Sequence, residues 1–479
     1  MPIDITIPFD DVELDDEKKI FLSSLQANIL KGHGREHVAL LFLKIKNTND
    51  AKFFLRDYPV TSSLDQFNEI EAFKKHGIPG GVVRLVFITQ AGLDEFGHGG
   101  KFFDEQPFAA SMSNDKLVLD DGTTASWQSE LSQPVHVLLL IAYHDQAVLA
   151  NTVGDLVSDF CISVSPFEVL YVQEGKAYRN SDGEGIEHFG YVDGRSQPLM
   201  LKTQIDAENS ARRGGIKKYD PSAPLSQFLI VDPLSPADFG SYFVFRKLEQ
   251  NVLDFKQAED NLGEKVLELQ GADKERAGAI VVGRFEDGTP ITLNDEEFGA
   301  PVINNFDYGQ DSSGAKCPFH GHIRKSNPRG SSPGGLEFDK SVQMARRGIT
   351  YGTRLQHPDT KEFIDAPQRG VGLLFMSYQA SIARQFQFMQ SRWVNNPDFP
   401  HAGIGIDPII GQGASKIDQT WFPNYDKPAS TVKSLFKGFV SLKGGEYFFT
   451  PSLNGLKTIW CADLVWQCYE IIKCHSTHS

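Results

Sequence analysis

Three short motifs carry residue types that could do chemistry. The first spans residues 187–198 and reads EHFGYVDGRSQP, with Asp193 between two glycines. Glycine permits tight turns and close approach of the backbone to a flat ligand, so Asp193 could face such a ligand. The alternative is an Asx turn that ends at Pro198, in which the Asp193 side chain serves only its own backbone.

The second motif, residues 317–329, reads CPFHGHIRKSNPR and concentrates imidazole and cationic groups. His320 and His322 point to the same side of an extended chain, so they could bind a metal, although no further ligand follows at a fixed spacing. A second interpretation is one imidazole on a haem iron, with nearby arginines on the anionic propionates. A third interpretation of this motif is a surface turn with solvated charges.

The third motif, residues 344–352, reads MARRGITYG and places Arg346 and Arg347 before a glycine turn. The two arginines are either a solvated pair, or one of them is buried beside a reacting anion. A fixed guanidinium in such a place stabilises developing negative charge without having to reorganise.

Strand-like and helix-like segments must position these motifs. In the first half their order is β-α-β-β-α-β, which is the order of the ferredoxin-like unit. The strand-like segments there are 38–45, 82–88, 135–143 and 167–172, and the helix-like segments are 49–55, 91–96 and 146–160, of which 91–96 is treated as a connection. The second half repeats part of the pattern, with strands at 240–246, 372–378 and 446–449 and helices at 251–256 and 381–393. We therefore predict an α+β fold of tandem ferredoxin-like units, with antiparallel sheets and flanking helices.

The two units are predicted to meet at the proline-rich stretch 220–224. Residues 1–225 form the N-terminal unit, which carries the Asp193 motif, and residues 226–479 form the C-terminal unit. Two long segments, about 175–220 and 294–360, do not fit the repeat. Long irregular connections in compact domains are usually functional, and these two contain all three motifs.

Composition and charge exclude several classes of protein. The 479 residues are 40% hydrophobic and 23% charged, which is the usual balance of a globular protein. The formal net charge of -15 opposes binding to nucleic acid. The sequence contains no apolar stretch of about 18 residues, so we expect no membrane-spanning helix. The first residues lack a basic segment followed by an apolar one, so we expect a cytoplasmic protein.

Taken together, the motifs resemble those of the dye-decolorizing peroxidases, and in particular the larger subclass with fungal and cyanobacterial-type members. The matching motifs, in the order of the family, are GxxDG at 190–194, HIRKxNPR at 322–329, RRGIxYG at 346–352, GLLF at 372–375 and GGEYFF at 444–449. The resemblance implies the dimeric α+β barrel superfamily and a haem b held in the second ferredoxin-like unit.

The resemblance implies a proximal side for that haem. His322, which directly precedes Ile-Arg, would bind the iron, and His320 is the competing candidate. Asp407 resembles the acidic partner of the proximal imidazole in the family, with Asp398 as the alternative. Such a partner raises the basicity of the ligand.

On the distal side, the resemblance assigns peroxide cleavage to Asp193 and Arg346. The carboxylate would relay a proton and the guanidinium would stabilise the departing oxygen. Arg346 is preferred to Arg347 because the distal arginine of the family is the first of its pair. Leu373 and Phe375 resemble apolar residues that restrict access to the distal pocket, although a plain core strand would carry similar residues.

Further roles follow from the resemblance. Arg324, Asn327 and Arg329 are candidates for the haem propionates or for structural roles. Bulky reductants cannot reach a buried haem, and the family is thought to pass electrons through surface aromatics. Tyr351 and Trp393 are the expected relays, each with core packing as its alternative.

We therefore expect a haem peroxidase that reduces hydrogen peroxide and oxidises dyes, phenolics and similar aromatic reductants, as a monomer or homodimer. The alternative is a non-catalytic haem-binding or iron-extraction protein on the same fold, but haem storage does not require the acid–base pair of Asp193 and Arg346. A haem-free ligand-binding protein is a third possibility. Since a free aspartate has a pKa of about 3.9, a distal aspartate would permit activity at acidic pH.

Overall fold

Helices and strands alternate along the chain in the computed structural model, which describes residues 3–99, 104–211, 218–299, 303–413 and 416–459. The helices are α1 Asp16–Ser24, α2 Thr48–Asp57, α3 Ser63–His76, α4 Gln90–Glu95, α5 Gln106–Ala110, α6 Met112–Leu119, α7 Gln146–Phe160, α8 Lys202–Ala211, α9 Val252–Asn261, α10 Arg276–Val282, α11 His322–Ser326, α12 Gly335–Ser341, α13 Phe386–Phe388 and α14 Leu453–Thr458. None of these described helices is long and apolar enough to cross a membrane.

The strands belong mostly to one large sheet. They are β1 His37–Ile45, β2 Val83–Ile88, β3 Val137–Tyr143, β4 Phe167–Lys176, β5 Tyr178–Arg179, β6 Gly185–Ile186, β7 Ile230–Asp232, β8 Ser235–Gln250, β9 Ala345–Arg346, β10 Ile349–Tyr351, β11 Gly372–Gln379, β12 Gln419–Trp421, β13 Val432–Ser434 and β14 Val440–Thr450. The spatial order in the large sheet is β10-β11-β8-β14-β2-β3-β1-β4.

Each half of the chain contributes four strands in the same arrangement. The order is β2-β3-β1-β4 in the first half and β10-β11-β8-β14 in the second. Counted within each half, both read second, third, first, fourth, and all these pairings are antiparallel. This is the ferredoxin-like arrangement, so the predicted fold class is confirmed.

The two halves join at both edges of their sheets. On one side Phe449 of β14 pairs with Ile88 of β2. On the other side the hydroxyl of Thr350 in β10 donates to the carbonyl of Lys176 in β4. Since β10 and β4 are the two ends of the strand order, this second contact closes the sheet into a barrel. The domain boundary near residue 225 stays a prediction.

Aromatic side chains fill the barrel interior. The rings of Phe87 and Phe243, one from each half, stack with their centroids 4.2 Å apart. Phe42 and Phe245 lie beside them at 5.0 Å. Alternate residues of the same strands face outward and pack under the helices, because successive side chains point to opposite faces of a strand. The outer layer is where the motifs gather.

Several helices differ from the sequence prediction, and two of them show why. Helix α3 was not predicted, although Ser62 and Asp65 form a capping box at its start and Gly77 ends it with a positive φ. Few of its residues are buried, so it lacks the apolar periodicity on which the prediction relied. The helix predicted over 381–393 begins only at Phe386 and continues as a π-helical turn to Val394.

Candidate active site

One cavity collects residues from all three motifs. Asp193, His322 and Arg346 all line it, although they lie up to 153 positions apart in the chain. Loop 189–197, strands β8, β9 and β11 and helix α11 form its walls. Much of the lining is apolar, from Phe189, Leu248, Val282, Ile323, Val342, Met344, Leu373, Phe375, Phe386, Met389, Ile409, Ile410 and Val440.

His322 is the first residue of helix α11 and faces this cavity. Its side chain is 28% exposed, and this surface lies in the cavity. The ring atom Nδ1 is 2.9 Å from Oδ2 of Asp407. The Nε2 atom on the other side of the ring is therefore the nitrogen left for a ligand.

Asp407 is fully buried and held rigidly. Its Oδ1 accepts the backbone N–H groups of Ile409 and Ile410 at 2.8 and 2.9 Å, which leaves Oδ2 for His322. Burial alone lowers the pKa of His322, but the charge and hydrogen bond of Asp407 outweigh it and raise this pKa. Asp398 accepts the N–H of Gly403 instead, so of the two proposed partners Asp407 is the one in contact.

His320 lies outside the cavity. Its ring packs edge-on against Trp421, with centroids 4.4 Å apart, and burial lowers its pKa to about 3. Within the described residues, no group of three or more His, Cys, Asp and Glu side chains could hold a metal ion. The geometry therefore favours His322 over His320 as the ligand. For the H-x-H metal interpretation, the described residues contain no further ligands.

Arg346 is tied to the loop that carries Asp193. Its Nη2 donates to the carbonyl of Arg195 at 2.7 Å, and its backbone N–H donates to Oε1 of Gln197 at 3.1 Å. Burial lowers the pKa of Arg346, whereas the nearby charge of Asp193 opposes that shift. The two distal candidates thus share one cavity. Arg347 instead donates to the carbonyls of the N-terminal segment 28–29.

Leu373 and Phe375 face the cavity, and their strand neighbours do not. The two side chains are partly buried and line the site, whereas Leu374 and Met376 point into the barrel and are fully buried. The ring of Phe375 lies 6.0 Å from that of Phe386. Strand β11 therefore separates the cavity from the barrel core.

Arg324 does not line the cavity. It is ion-paired with Asp311 at 2.8 Å and lies between the rings of Tyr308 and Phe319, at 4.5 and 4.2 Å. Its Nη1 also donates to the carbonyl of Cys317. This geometry speaks against the propionate assignment and favours the structural role.

Arg329 is likewise outside the lining. Its guanidinium donates to the carbonyls of Asn304 and Phe306 and packs 4.2 Å from the ring of Tyr219. Its Nε has no partner among the described residues, as is also true of Arg284, but Arg329 lies outside the cavity, so the structural alternative is favoured here too.

Arg284 is a lining residue that the sequence analysis missed. It is buried, and burial together with the neighbouring Arg329 lowers its pKa to about 9. Its Nε has no hydrogen-bond partner among the described residues. Asn327 lines the same cavity, and neither of its amide atoms has a partner there. A lone arginine in the apolar run 277–285 was the available signal, because a buried charge needs a partner.

The prediction that Tyr351 and Trp393 lie on the surface is wrong. Tyr351 is 5% exposed, because its strand β10 is enclosed between β11 and β4. Trp393 is 2% exposed and stacks on Phe399 with ring centroids 5.2 Å apart. Core packing, the alternative for both, describes their surroundings.

Known proteins with similar sequences identify the family of this chain. Residues 24–176 match the family model described as the DyP dimeric alpha+beta barrel domain. The chain is 40% identical to the multifunctional dye peroxidase DyP2 of Amycolatopsis sp., over 96% of this chain and 100% of that protein. It is 30% identical to a dye-decolorizing peroxidase of Mycetinis scorodonius, over 91% and 87% of the two chains.

Solved structures give the same result. The structure of DyP2 from Amycolatopsis sp. superposes with a TM-score of 0.88 at 39% identity and covers 95% of this chain and 100% of its own. A DyP-type peroxidase of Anabaena sp. superposes with a TM-score of 0.87 at 34% identity, over 96% and 100% of the chains. The chain therefore belongs to the dye-decolorizing peroxidase family, a family of haem-dependent peroxidases.

Proposed function

We propose that this protein binds haem b in the cavity, reduces hydrogen peroxide, and oxidises dyes, phenolics and similar aromatic reductants. One observation carries the proposal. His322, whose Nδ1 is engaged by Asp407, lines the same cavity as Asp193 and Arg346. Haem would supply the redox-active iron, and the protein residues would supply the ligand and the acid–base groups.

The residues present fit a haem. Among the described residues, the Nε2 of His322 is the one imidazole nitrogen open to the cavity, and the apolar lining suits a flat macrocycle. Haem also carries two carboxylates. Arg284 and Asn327 line the cavity with buried polar atoms that lack partners among the described residues. These two side chains are our candidates for holding the propionates.

On the proximal side, His322 would hold the iron through Nε2. Asp407 keeps the proton on Nδ1 and fixes the ring plane, because its own orientation is set by two backbone N–H groups. An imidazole that donates to a buried carboxylate is a stronger electron donor to its metal.

On the distal side, Asp193 would accept the proton of one peroxide oxygen and deliver it to the other, which leaves as water. Arg346 would stabilise the charge on that leaving oxygen. The carbonyl of Arg195 holds its guanidinium in place, so no reorganisation is needed during the reaction. A protein that only stores haem has no use for this pair.

Leu373 and Phe375 would limit the cavity to small peroxides. Larger reductants would then give up electrons without entering it. Tyr351 and Trp393 are proposed as relays from buried positions. Trp393 is close to the surface, since its ring contacts the exposed ring of Phe338 at a centroid distance of 6.3 Å.

The test is rapid mixing of the haem-loaded protein with hydrogen peroxide while the Soret band is recorded. We expect a fast spectral change in the wild type and a strongly slowed one in Asp193→Asn and Arg346→Leu. A wild type that shows no change would contradict the peroxidase proposal. Variants that react at the wild-type rate would contradict the distal assignment alone.

A further inference from the structure

Lys325 is a fully buried lysine located one helical turn after His322. Its Nζ donates to three backbone carbonyls, those of Asn396 at 2.8 Å, Phe399 at 2.8 Å and Gly405 at 2.7 Å. Burial lowers the pKa of Lys325 to about 7, and the three carbonyls match the three N–H donors of its ammonium form. The side chain therefore fastens helix α11 to the segment 396–405.

That segment leads directly to Asp407. Gly405 lies two residues before the carboxylate, and its N–H donates to the carbonyl of Pro397 at 3.0 Å. The backbone N–H of Asp407 donates to the carbonyl of Val394, also at 3.0 Å. The path from the Lys325 anchor to the carboxylate is thus short and internally hydrogen-bonded.

The three carbonyl oxygens converge on one point, which favours a cation or a group with several hydrogen-bond donors. Without Lys325 they would face one another unsatisfied in a buried space, which is unfavourable for backbone oxygens. The segment would then shift, and the bond between Asp407 and His322 would lengthen with it.

We propose that Lys325 is a positioning residue that holds Asp407 against Nδ1 of His322 and thereby sets the donor strength of the imidazole. The inference rests on the proposed function, in which His322 binds the haem iron. Helix α11 carries the ligand at its first residue and the anchor three residues later, so one short element controls both ends of the interaction.

The experiment compares haem-loaded wild type with Lys325→Met, which keeps an unbranched side chain one atom shorter and removes its donors. We measure the iron–histidine stretching frequency by resonance Raman on the ferrous protein, and the ferric/ferrous reduction potential. The frequency should fall and the potential should rise, as in Asp407→Asn, because a weaker Nδ1–H bond makes a weaker donor. An unchanged frequency and potential in a merely less stable protein would overturn the proposal.

A matched control is Arg276→Met. Arg276 is also a buried cation that donates to a loop carbonyl, that of Pro423 at 2.9 Å. Its loss should lower thermal stability and leave the frequency and potential unchanged. Equal spectroscopic shifts in Arg276→Met and Lys325→Met would mean that general loosening is the cause, which would also overturn the proposal.

A second variant covers the case in which Lys325→Met does not fold. Lys325→Gln keeps two N–H donors, and we expect an intermediate shift. A wild-type frequency in that variant would count against the proposal. His322→Gln tests the proposed iron ligand separately from the role of Lys325. An iron–histidine band that persists in this variant would refute His322 as the ligand, whatever the Lys325 variants show.

Discussion

The guanidinium of Arg346 donates a hydrogen bond to the carbonyl of Arg195, 2.7 Å away, two residues after Asp193. A residue of strand β9 and a loop of the first half are thereby held together across 151 positions of the chain. The guanidinium of Arg346, our proposed distal arginine, is therefore held in place before any substrate arrives.

Arg346→Lys should slow the reaction with hydrogen peroxide by about 100-fold or more, although the charge is kept. Lysine is a compact, flexible ammonium that cannot bond to Arg195 and reach the peroxide at once. Rapid mixing under pseudo-first-order conditions measures the rate. The exposed Arg369 supplies a control in Arg369→Lys, and a wild-type rate in Arg346→Lys would show that a fixed guanidinium is not required.

Asp407→Asn should slow the same reaction by about 10- to 100-fold, because a neutral amide is a poorer acceptor for Nδ1–H of His322. Asp398→Asn is the matched control, since this exposed carboxylate binds Gly403 and not the imidazole. If Asp398→Asn were the slower variant, the pairing with Asp407 would have no functional meaning.

Phe375→Ala should raise the rate with a bulky organic hydroperoxide relative to that with hydrogen peroxide, because the ring that narrows the cavity is gone. The control is the neighbour Leu374→Ala, which points into the barrel. It should lower the free energy of unfolding by about 2–5 kcal/mol and leave the ratio of the two rates unchanged. The ratio is measured by steady-state kinetics with both peroxides.

Arg284→Met should weaken haem binding about tenfold, because a charge-assisted bond to a propionate is lost. Transfer of haem to an excess of apomyoglobin measures this. Arg324→Met should instead reduce the free energy of unfolding by about 3–5 kcal/mol, because Asp311 would stay buried without its cation. Faster haem loss from folded Arg324→Met than from Arg284→Met would reverse our assignment of the propionate site.

Because of its buried His188, the protein should have a lower free energy of unfolding in acid. It is buried, its Nε2 lies 2.8 Å from the carbonyl of Tyr351, and burial lowers its pKa to about 4. Its unfolded value is about 6.5, so between these values the unfolded chain binds more protons and stability falls as the pH falls.

From pH 7 to pH 5, this single histidine should lower the free energy of unfolding by about 2 kcal/mol. His188→Gln keeps an N–H donor for Tyr351 but does not titrate. Denaturant unfolding at both pH values should therefore show a smaller acid loss in the variant than in the wild type. Equal losses would show that His188 does not contribute.

The sequence by itself determined the succession of strands and helices in the first half of the chain and the residues of the three motifs. Helix α7 has the predicted bounds 146–160, because an N-capping Asp145 and a clear apolar periodicity are both local signals. The motifs around Asp193, His322 and Arg346 could be recognised for the same reason. Each motif lies within one short stretch of chain, so the spacing of its residues can be read directly from the sequence.

The tertiary structure alone decided which side chains meet. Asp407 and Asp398 lie nine positions apart in similar irregular sequence, and only packing brings the first to His322. Arg284 lines the cavity, whereas Arg324 pairs with Asp311 outside it. Tyr351 and Trp393 became buried when the barrel closed and its outer layer packed. Local periodicity reports which face of an element is apolar, whereas contacts across tens of residues depend on how the elements pack.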